Sequence, residues 1–431
     1  MALSGKTAHA SHVAASRARR KSAAPKIAPK IGLALAGGGP LGGIYEVGAL
    51  LALADSIEGL ELDDLHAYVG VSSGGFVAAA LANGISPGQM YRLFIEDGAD
   101  AALRPELFLR PALGEFARRA AALPRLILHA TFQYLRDPFH RGVLQSFATL
   151  ARAVPTGMFD NGAIDAFLVK LFAGPGRTND FRRLRRKLFL VATNLDTGES
   201  VTFGTPGRDH VPISRAIEAS SALPGMFPPV EIDGEHFVDG ALNKTLHASV
   251  ALDEGVQLLL CVNPLVPFDA SAAARGQHLT VDKLNQGGLP LVLSQTFRAV
   301  IHSRMVVGME KYARQYPGAD VLLFEPARAD AEMFFASIFS YSQRRRLCAL
   351  AFDTTRQNLC AREAQIAAIL ARHGLALRRD RLALPARTIA DAVCDPRPLR
   401  ADARRTKGVR ATTRELAHTL EQLERFVAAA R

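Results

Sequence analysis

From Ile31 onward the chain alternates between short unbroken apolar runs and longer stretches whose apolar positions fall on one side of a helix. "IGLALA" is such a run, closed by three glycines and followed by an amphipathic stretch from Ile44 to about Leu53. "HAYVGV" repeats the arrangement, turning through "SSGG" into an Ala-rich helical segment. "KLFLVATNL", "SVTFG", "HFVDG" and "VQLLLCVN" read as further strands. Strands that alternate with helices predict a parallel sheet covered by helices on both faces.

Between about residues 98 and 158 the alternation stops. "LGEFARRAAALPRLILHATFQYLRDPFHRGVLQSFATLARAV" is helical in period and rich in arginine and aromatics, and reads as an insert in the α/β body. Its apolar centre, "LILHATFQYL", lies between Arg125 and Arg136, with Arg118 and Arg119 before it. Two readings stay open: a cap whose arginines snorkel at a lipid interface, or a second core packed on the body. Near the C-terminus Leu416, Leu420, Leu423 and Val427 share one helical stripe. No internal repeat is visible. The expected organisation is a tail over 1–30, a main domain over 31–375 and a basic helical extension over 376–431.

Composition changes this picture in two ways. The formal charge of +11 sits at the ends: residues 1–30 hold seven Lys/Arg and no acid, and residues 371–431 hold fourteen Lys/Arg against seven Asp/Glu. The body between them is slightly acidic, which argues against a specific nucleic-acid binder and leaves basic ends suited to an anionic surface. Residues 1–30 have no apolar periodicity and no h-region after their charges, so they read as a disordered tail and not as a secretory signal. No window approaches eighteen uninterrupted apolar residues, so no spanning helix is expected. Cys261, Cys348, Cys360 and Cys394 are scattered, without a C-x-x-C. They suit a reducing, cytoplasmic setting and give no support to a metal or redox centre.

The candidate chemistry begins at "GGGPLGG", where Gly37, Gly39 and Gly42 satisfy the G-x-G-x-x-G of a dinucleotide-binding turn. A dinucleotide fold wants an acid at the end of the second strand, about twenty residues on. Glu58, Glu61, Asp63 and Asp64 fall near that spacing but precede the strand. The strand itself ends in "GVSSGG", a G-x-S-x-G with Ser72 at its centre and Gly70 and Gly74 around it, in the strand–turn–helix context of a nucleophile elbow. The bland alternative is a serine that caps the next helix. With a nucleophile there, the glycine turn is better read as an oxyanion hole, since the same amides that hold phosphate hold a developing oxyanion. In "GEHFVDGALNKT" the most suggestive acid is Asp239, although an isolated D-G is usually only a turn.

These three motifs, in this order and spacing, resemble the patatin-like phospholipase family, as does "AIEASSALPGMFPPV" at 216–230. The resemblance covers residues 31–245 well and the rest loosely. It implies a three-layer α/β/α sandwich with a mainly parallel sheet, here carrying a helical insert and a C-terminal helical extension. It implies acyl-ester hydrolysis by a serine–aspartate dyad without histidine. Ser72 becomes the nucleophile, Asp239 its base, the amides of Gly37, Gly38 and Gly39 the oxyanion hole, and Gly42, Gly70, Gly74 and Gly240 the motif glycines. No cofactor is implied, and the expected partner is a lipid or fatty-acyl ester, with peripheral membrane contact through the basic ends or the insert. Pro40-Leu41 stands where many relatives place a basic residue, and Pro40 donates no N–H; a neutral lipid or small carboxylic ester loses less by this than a charged phosphate head group. Three other readings stay open on the residues: an α/β-hydrolase triad using His236, His247, His278 or His302, an inactive lipid-binding relative, and a nicotinamide or flavin enzyme.

Overall fold

The computed structural model of the chain describes residues 29–96, 110–136, 153–276, 284–335, 343–384 and 387–394. The chain divides into two compact units, Met1–Val393 and Cys394–Arg431. Of the tail expected over 1–30, residues 1–28 lie outside the described residues, as does the stripe Leu416, Leu420, Leu423 and Val427.

In chain order the strands are β1 (Ile31–Leu35), β2 (Ile57–Glu58), β3 (Ala67–Val71), β4 (Lys187–Asn194), β5 (Ser200–Phe203), β6 (Val230–Ile232), β7 (Glu235–Asp239), β8 (Leu258–Val262), β9 (Asp320–Phe324) and β10 (Ala376–Leu377). Eight of them form one sheet in the order β6-β7-β4-β3-β1-β8-β9, with β5 also on β4. The five strands from β4 to β9 along that order run parallel. β5, β6 and β7 are antiparallel additions at the β4 end.

The unbroken apolar runs follow from this placement, because a parallel strand is covered on both faces. Leu33, Leu35, Tyr68, Leu188, Leu190, Leu258 and Leu260 enter one core together with the helices α1 (Gly39–Ser56), α2 (Ser73–Ala82) and α3 (Pro87–Phe94). Their alternate neighbours Ala34, Val69, Phe189, Val191, Leu259 and Cys261 enter a second core with Leu252 and Tyr312, from the helices Ala248–Asp253 and Gly288–Gln315. Two cores on opposite faces of one sheet make three layers, α/β/α. β6 and β9 were not among the strands read from the sequence. α1 begins at Gly39, earlier than the apolar period suggests, because Pro40 in its first turn is preset for a helix and has no N–H to satisfy.

Within the stretch expected to be an insert, about 98–158, α4 (Leu113–Arg136) is one long helix with Pro124 inside it. Its root is tied down: the Ala112 amide donates to the Met158 carbonyl at 3.0 Å. Glu115 accepts from the Thr156 amide at 2.8 Å and from its hydroxyl at 2.6 Å. Residues 97–109 and 137–152 lie outside the described residues. At the far end of the chain, β10 pairs with β2, and Arg381 and Arg387 both bind the buried Asp55.

α1 packs closely on the helix Arg344–Ala361. A Cβ at Gly48 would stand 2.2 Å from the backbone oxygen of Cys348, so the two helix backbones meet where no side chain fits. Gly48→Ala must push the helices apart, and overpacking of this kind costs about 1–3 kcal/mol. The expected outcome in urea is a lower unfolding midpoint at unchanged m-value.

Candidate active site

All three sequence motifs meet at the carboxyl ends of the central strands. β1 leads into Gly37, Gly38 and Gly39, with the Ala36 amide donating to the Val262 carbonyl at 3.1 Å. Gly39 has φ +63°, a backbone that favours glycine. Gly38 and Gly42 pack on Pro264, and the Gly42 amide donates to the Gly38 carbonyl at 3.0 Å. Among the described residues no hydrogen bond is accepted from the amides of Gly37, Gly38 or Gly39. A Cβ on Gly37 would lie 3.0 Å from Ser72 Cβ and 3.1 Å from Ala241 Cβ, so this turn touches both other motifs.

β3 ends at Val71, and Ser72 turns the chain into α2 with φ 53° and ψ −126°. A non-glycine residue in this region is strained and persists only when its surroundings hold it. The clearance comes from the flanking glycines: a Cβ on Gly70 would stand 2.5 Å from the Gly74 carbonyl oxygen, and one on Gly74 would stand 2.5 Å from that of Ala36. Ser72 occupies the N-cap position of α2, yet its side chain makes no capping bond. Its amide instead donates to Ser220 Oγ at 2.8 Å.

The register of β4 explains how Asp239 arrives. β3 pairs with β4 as far as Val71 opposite Val191. β5 occupies the other edge of β4 over Leu190–Thr193. β7 therefore joins β4 on the edge that β3 has just left, with Asp239 opposite Ala192. One strand edge thus passes from the serine strand to the aspartate strand between consecutive residues, and Ser72 and Asp239 face each other across that seam. A Cβ on Gly240 would meet the Val191 carbonyl oxygen at 2.2 Å, so the seam closes only over glycine.

Both residues are nearly inaccessible, Ser72 at 6% and Asp239 at 4% exposure. Asp239 Oδ1 accepts from the Ala241 amide at 2.8 Å, and the Ser72 hydroxyl lies near enough to favour the charged form of the carboxyl. Burial raises its pKa from the ordinary 3.8, the Ala241 bond and the nearby Ser72 hydroxyl pull it part of the way back, and it settles at about 6.

The remaining candidates are elsewhere. His247 is buried beside the Gly240 and Lys244 backbones, and burial, with the Lys244 charge, pushes its pKa down to about 3. His236 faces Asp196 at 3.4 Å on an exposed edge, and His302 lies 3.8 Å from Glu325. His278 is outside the described residues. Asp64 is occupied by Arg186 at 2.7 Å. Like Glu58, Glu61 and Asp63, it precedes β3, at the opposite ends of the parallel strands from the glycine turn, where no ribose held by that turn reaches. Among the described residues no group of three or more His, Cys, Asp or Glu is placed to hold a metal ion. Sequence reasoning passed over Ser220, whose only signal was its place in the 216–230 stretch.

A family model described as Patatin-like phospholipase matches residues 33–252, slightly more than half of the chain. Among solved structures, VipD from Legionella pneumophila aligns at 16% identity over 78% of this chain and 67% of its own, with a TM-score of 0.35. Human GIVD cytosolic phospholipase A2, in complex with methyl gamma-linolenyl fluorophosphonate, aligns at 14% identity over 80% of this chain and 60% of its own, with a TM-score of 0.35. ExoU in complex with SpcU, from the type III secretion system of Pseudomonas aeruginosa, aligns at 16% identity over 77% of this chain and 53% of its own, with a TM-score of 0.27. The chain thus spans about half to two thirds of the length of these structures.

Holding Asp239 ionised in this setting has a cost. Its folded pKa of about 6 lies above the unfolded 3.8, so the protein is most stable with the carboxyl protonated and loses stability as pH rises through 6. The loss is on the order of 3 kcal/mol. Asp239→Asn keeps an acceptor for the Ala241 amide and carries no charge. The variant is expected to melt above wild type at pH 8, with the gap closing below about pH 4 as the wild-type carboxyl protonates, read by thermal unfolding across pH.

Proposed function

The chain belongs to the patatin-like phospholipase family, and on that premise we propose that it is a carboxylic ester hydrolase acting on lipid acyl esters through Ser72 and Asp239. The observation that carries the reading is the seam on β4, where β3 leaves off at Val191 and Asp239 arrives opposite Ala192, which sets Ser72 beside a buried carboxyl whose pKa of about 6 leaves it ionised at neutral pH. A base needs to be ionised and close to the proton that it takes, and Asp239 is both.

The residues then divide the work as follows. Ser72 Oγ adds to the ester carbonyl carbon while its proton passes to the Asp239 carboxylate. The carbonyl oxygen becomes an anion, and the amides of Gly37, Gly38 and Gly39 supply the donors that hold it. Collapse breaks the ester C–O bond, the departing alcohol takes the proton from Asp239, and the acyl group stays on Ser72. Water adds next, giving its proton to Asp239, which returns it to Ser72 Oγ as the carboxylic acid leaves. No histidine is needed in this cycle. The groups acting on Asp239 are the Ala241 amide and Ser72, which favours the dyad over a triad. Pro40 and Leu41 add no charge at the turn, which favours a neutral lipid or simple ester over a charged head group.

A fluorophosphonate is expected to label wild type and leave Ser72→Ala unlabelled; labelling that persists at Ser73 overturns the nucleophile assignment. Asp239→Asn is expected to lower kcat on short p-nitrophenyl esters by about 10²–10⁴. In wild type, kcat/KM should fall as pH drops through about 6.

Contact with a lipid surface belongs to the same proposal. Among the described residues no helix is long and apolar enough to cross a membrane. α4, however, turns Ile127, Leu128 and Phe132 outward at 45%, 73% and 60% exposure, between Arg125 and Arg136. Leu289, Phe297, Val300 and Val307 stand exposed along the helix Gly288–Gln315. Arg304 of that helix donates to the Leu242 and Asn243 carbonyls, just past Asp239, so this apolar face adjoins the site. Changing Ile127, Leu128 and Phe132 to serine is expected to weaken cosedimentation with anionic vesicles at least about tenfold while short-ester hydrolysis is kept. Binding that falls only when residues 1–30 are removed assigns the contact to the basic tail.

A further inference from the structure

The stretch at 216–230 takes no part in the chemistry above, yet it touches the backbone of both catalytic residues. Ser220, the last residue of the helix Ile213–Ser220, is fully buried. A serine inside a helix commonly returns its hydroxyl to a carbonyl one turn back. Ser220 does not: its Oγ donates to the Val191 carbonyl at 2.6 Å and accepts the Ser72 amide at 2.8 Å. Two residues on, the carbonyl of the equally buried Ala222 accepts the Asp239 amide at 3.0 Å. Val191 is the last β4 residue paired with β3, and Ala192, next to it, is the one paired with Asp239. The turn 220–222 therefore lies on the seam and holds one amide from each side of it.

We infer that Ser220 is a positioning residue, whose hydroxyl fixes the strained Ser72 backbone to β4 and, with the Ala222 carbonyl, sets the separation of Ser72 from Asp239. The inference rests on the reading of Ser72 as nucleophile. Three physical points carry it. Ser72 at φ 53° needs an external hold, and the bond to Ser220 is one that its own amide makes. The hydroxyl acts as donor and acceptor at once, so removing it leaves a buried N–H and a buried C=O without partners. And the Ser72 amide, being committed to Ser220, is not free to hold an oxyanion.

The test uses the full chain, a short soluble p-nitrophenyl ester, and fluorophosphonate labelling. Ser220→Ala removes the hydroxyl, Ser220→Cys keeps the volume with a poor donor and acceptor, and Ser220→Thr restores the hydroxyl. The expected result is a kcat lower by about 10–100-fold in the Ala and Cys variants, the scale for groups that orient a catalytic group. KM stays unchanged, labelling slows in parallel, and the Thr variant recovers most of the rate. A packing role alone would leave the Cys variant close to wild type. Wild-type kcat in folded Ala and Cys variants overturns the inference, and so does a Thr variant as impaired as Ala. If Ser220→Ala does not fold, the Cys and Thr variants decide by the same comparison. Labelling that survives in Ser72→Ala overturns the underlying reading instead, so the two failures are distinguishable.

Discussion

Everything at the centre of this molecule depends on a backbone that an L-residue does not adopt on its own. Ser72 sits at φ 53°, a conformation that costs on the order of 1–3 kcal/mol. Its surroundings are arranged to tolerate and then to hold it. Gly70 and Gly74 remove the side chains that would collide, Gly37 lies flat against it, and Ser220 binds its amide. The change of partner on the edge of β4 follows the same constraint, because β3 has to leave that edge for the elbow to form and β7 fills the place it vacates.

Two buried carboxyls show how partners, and not burial alone, set charge. Glu46 in α1 has no exposure, and neither of its oxygens has a hydrogen-bond partner among the described residues. Burial drives its pKa well above the ordinary carboxylate range. Asp239 is as deeply enclosed, but an amide and a hydroxyl favour its charged form and bring it back to about 6. The difference lies in the partners: burial alone acts on Glu46, while Asp239 has an amide and a hydroxyl that favour its charge.

The parts of the structure legible in the sequence were those with local causes. β1, β3, β4 and β8 announce themselves as apolar runs because both faces of each are covered, and the elbow is legible because its glycines must flank Ser72 at fixed spacing. Asp239 could be singled out, but its register could not: the pairing with Ala192 depends on β3 ending where it does, on another strand. β6 is three residues long, too short to carry a period. Ser220 escaped notice since a serine at the end of an amphipathic helix looks like ordinary helix chemistry until Val191 and Ser72 are placed beside it. Gly48 likewise gave no sign that Cys348 would lie against it.

The bond between Ser220 and the Ser72 amide closes a loop of 148 residues. During folding such a contact comes after the local ones, since its loop must close before it returns any energy. A chain that has formed only β1, α1, β3 and α2 contains every residue of the elbow and still lacks the hold that keeps it strained. The held conformation of Ser72 is therefore among the last features to be completed. A partly folded copy of this protein therefore lacks the strained turn at Ser72, which is held in place only once the far strands have docked.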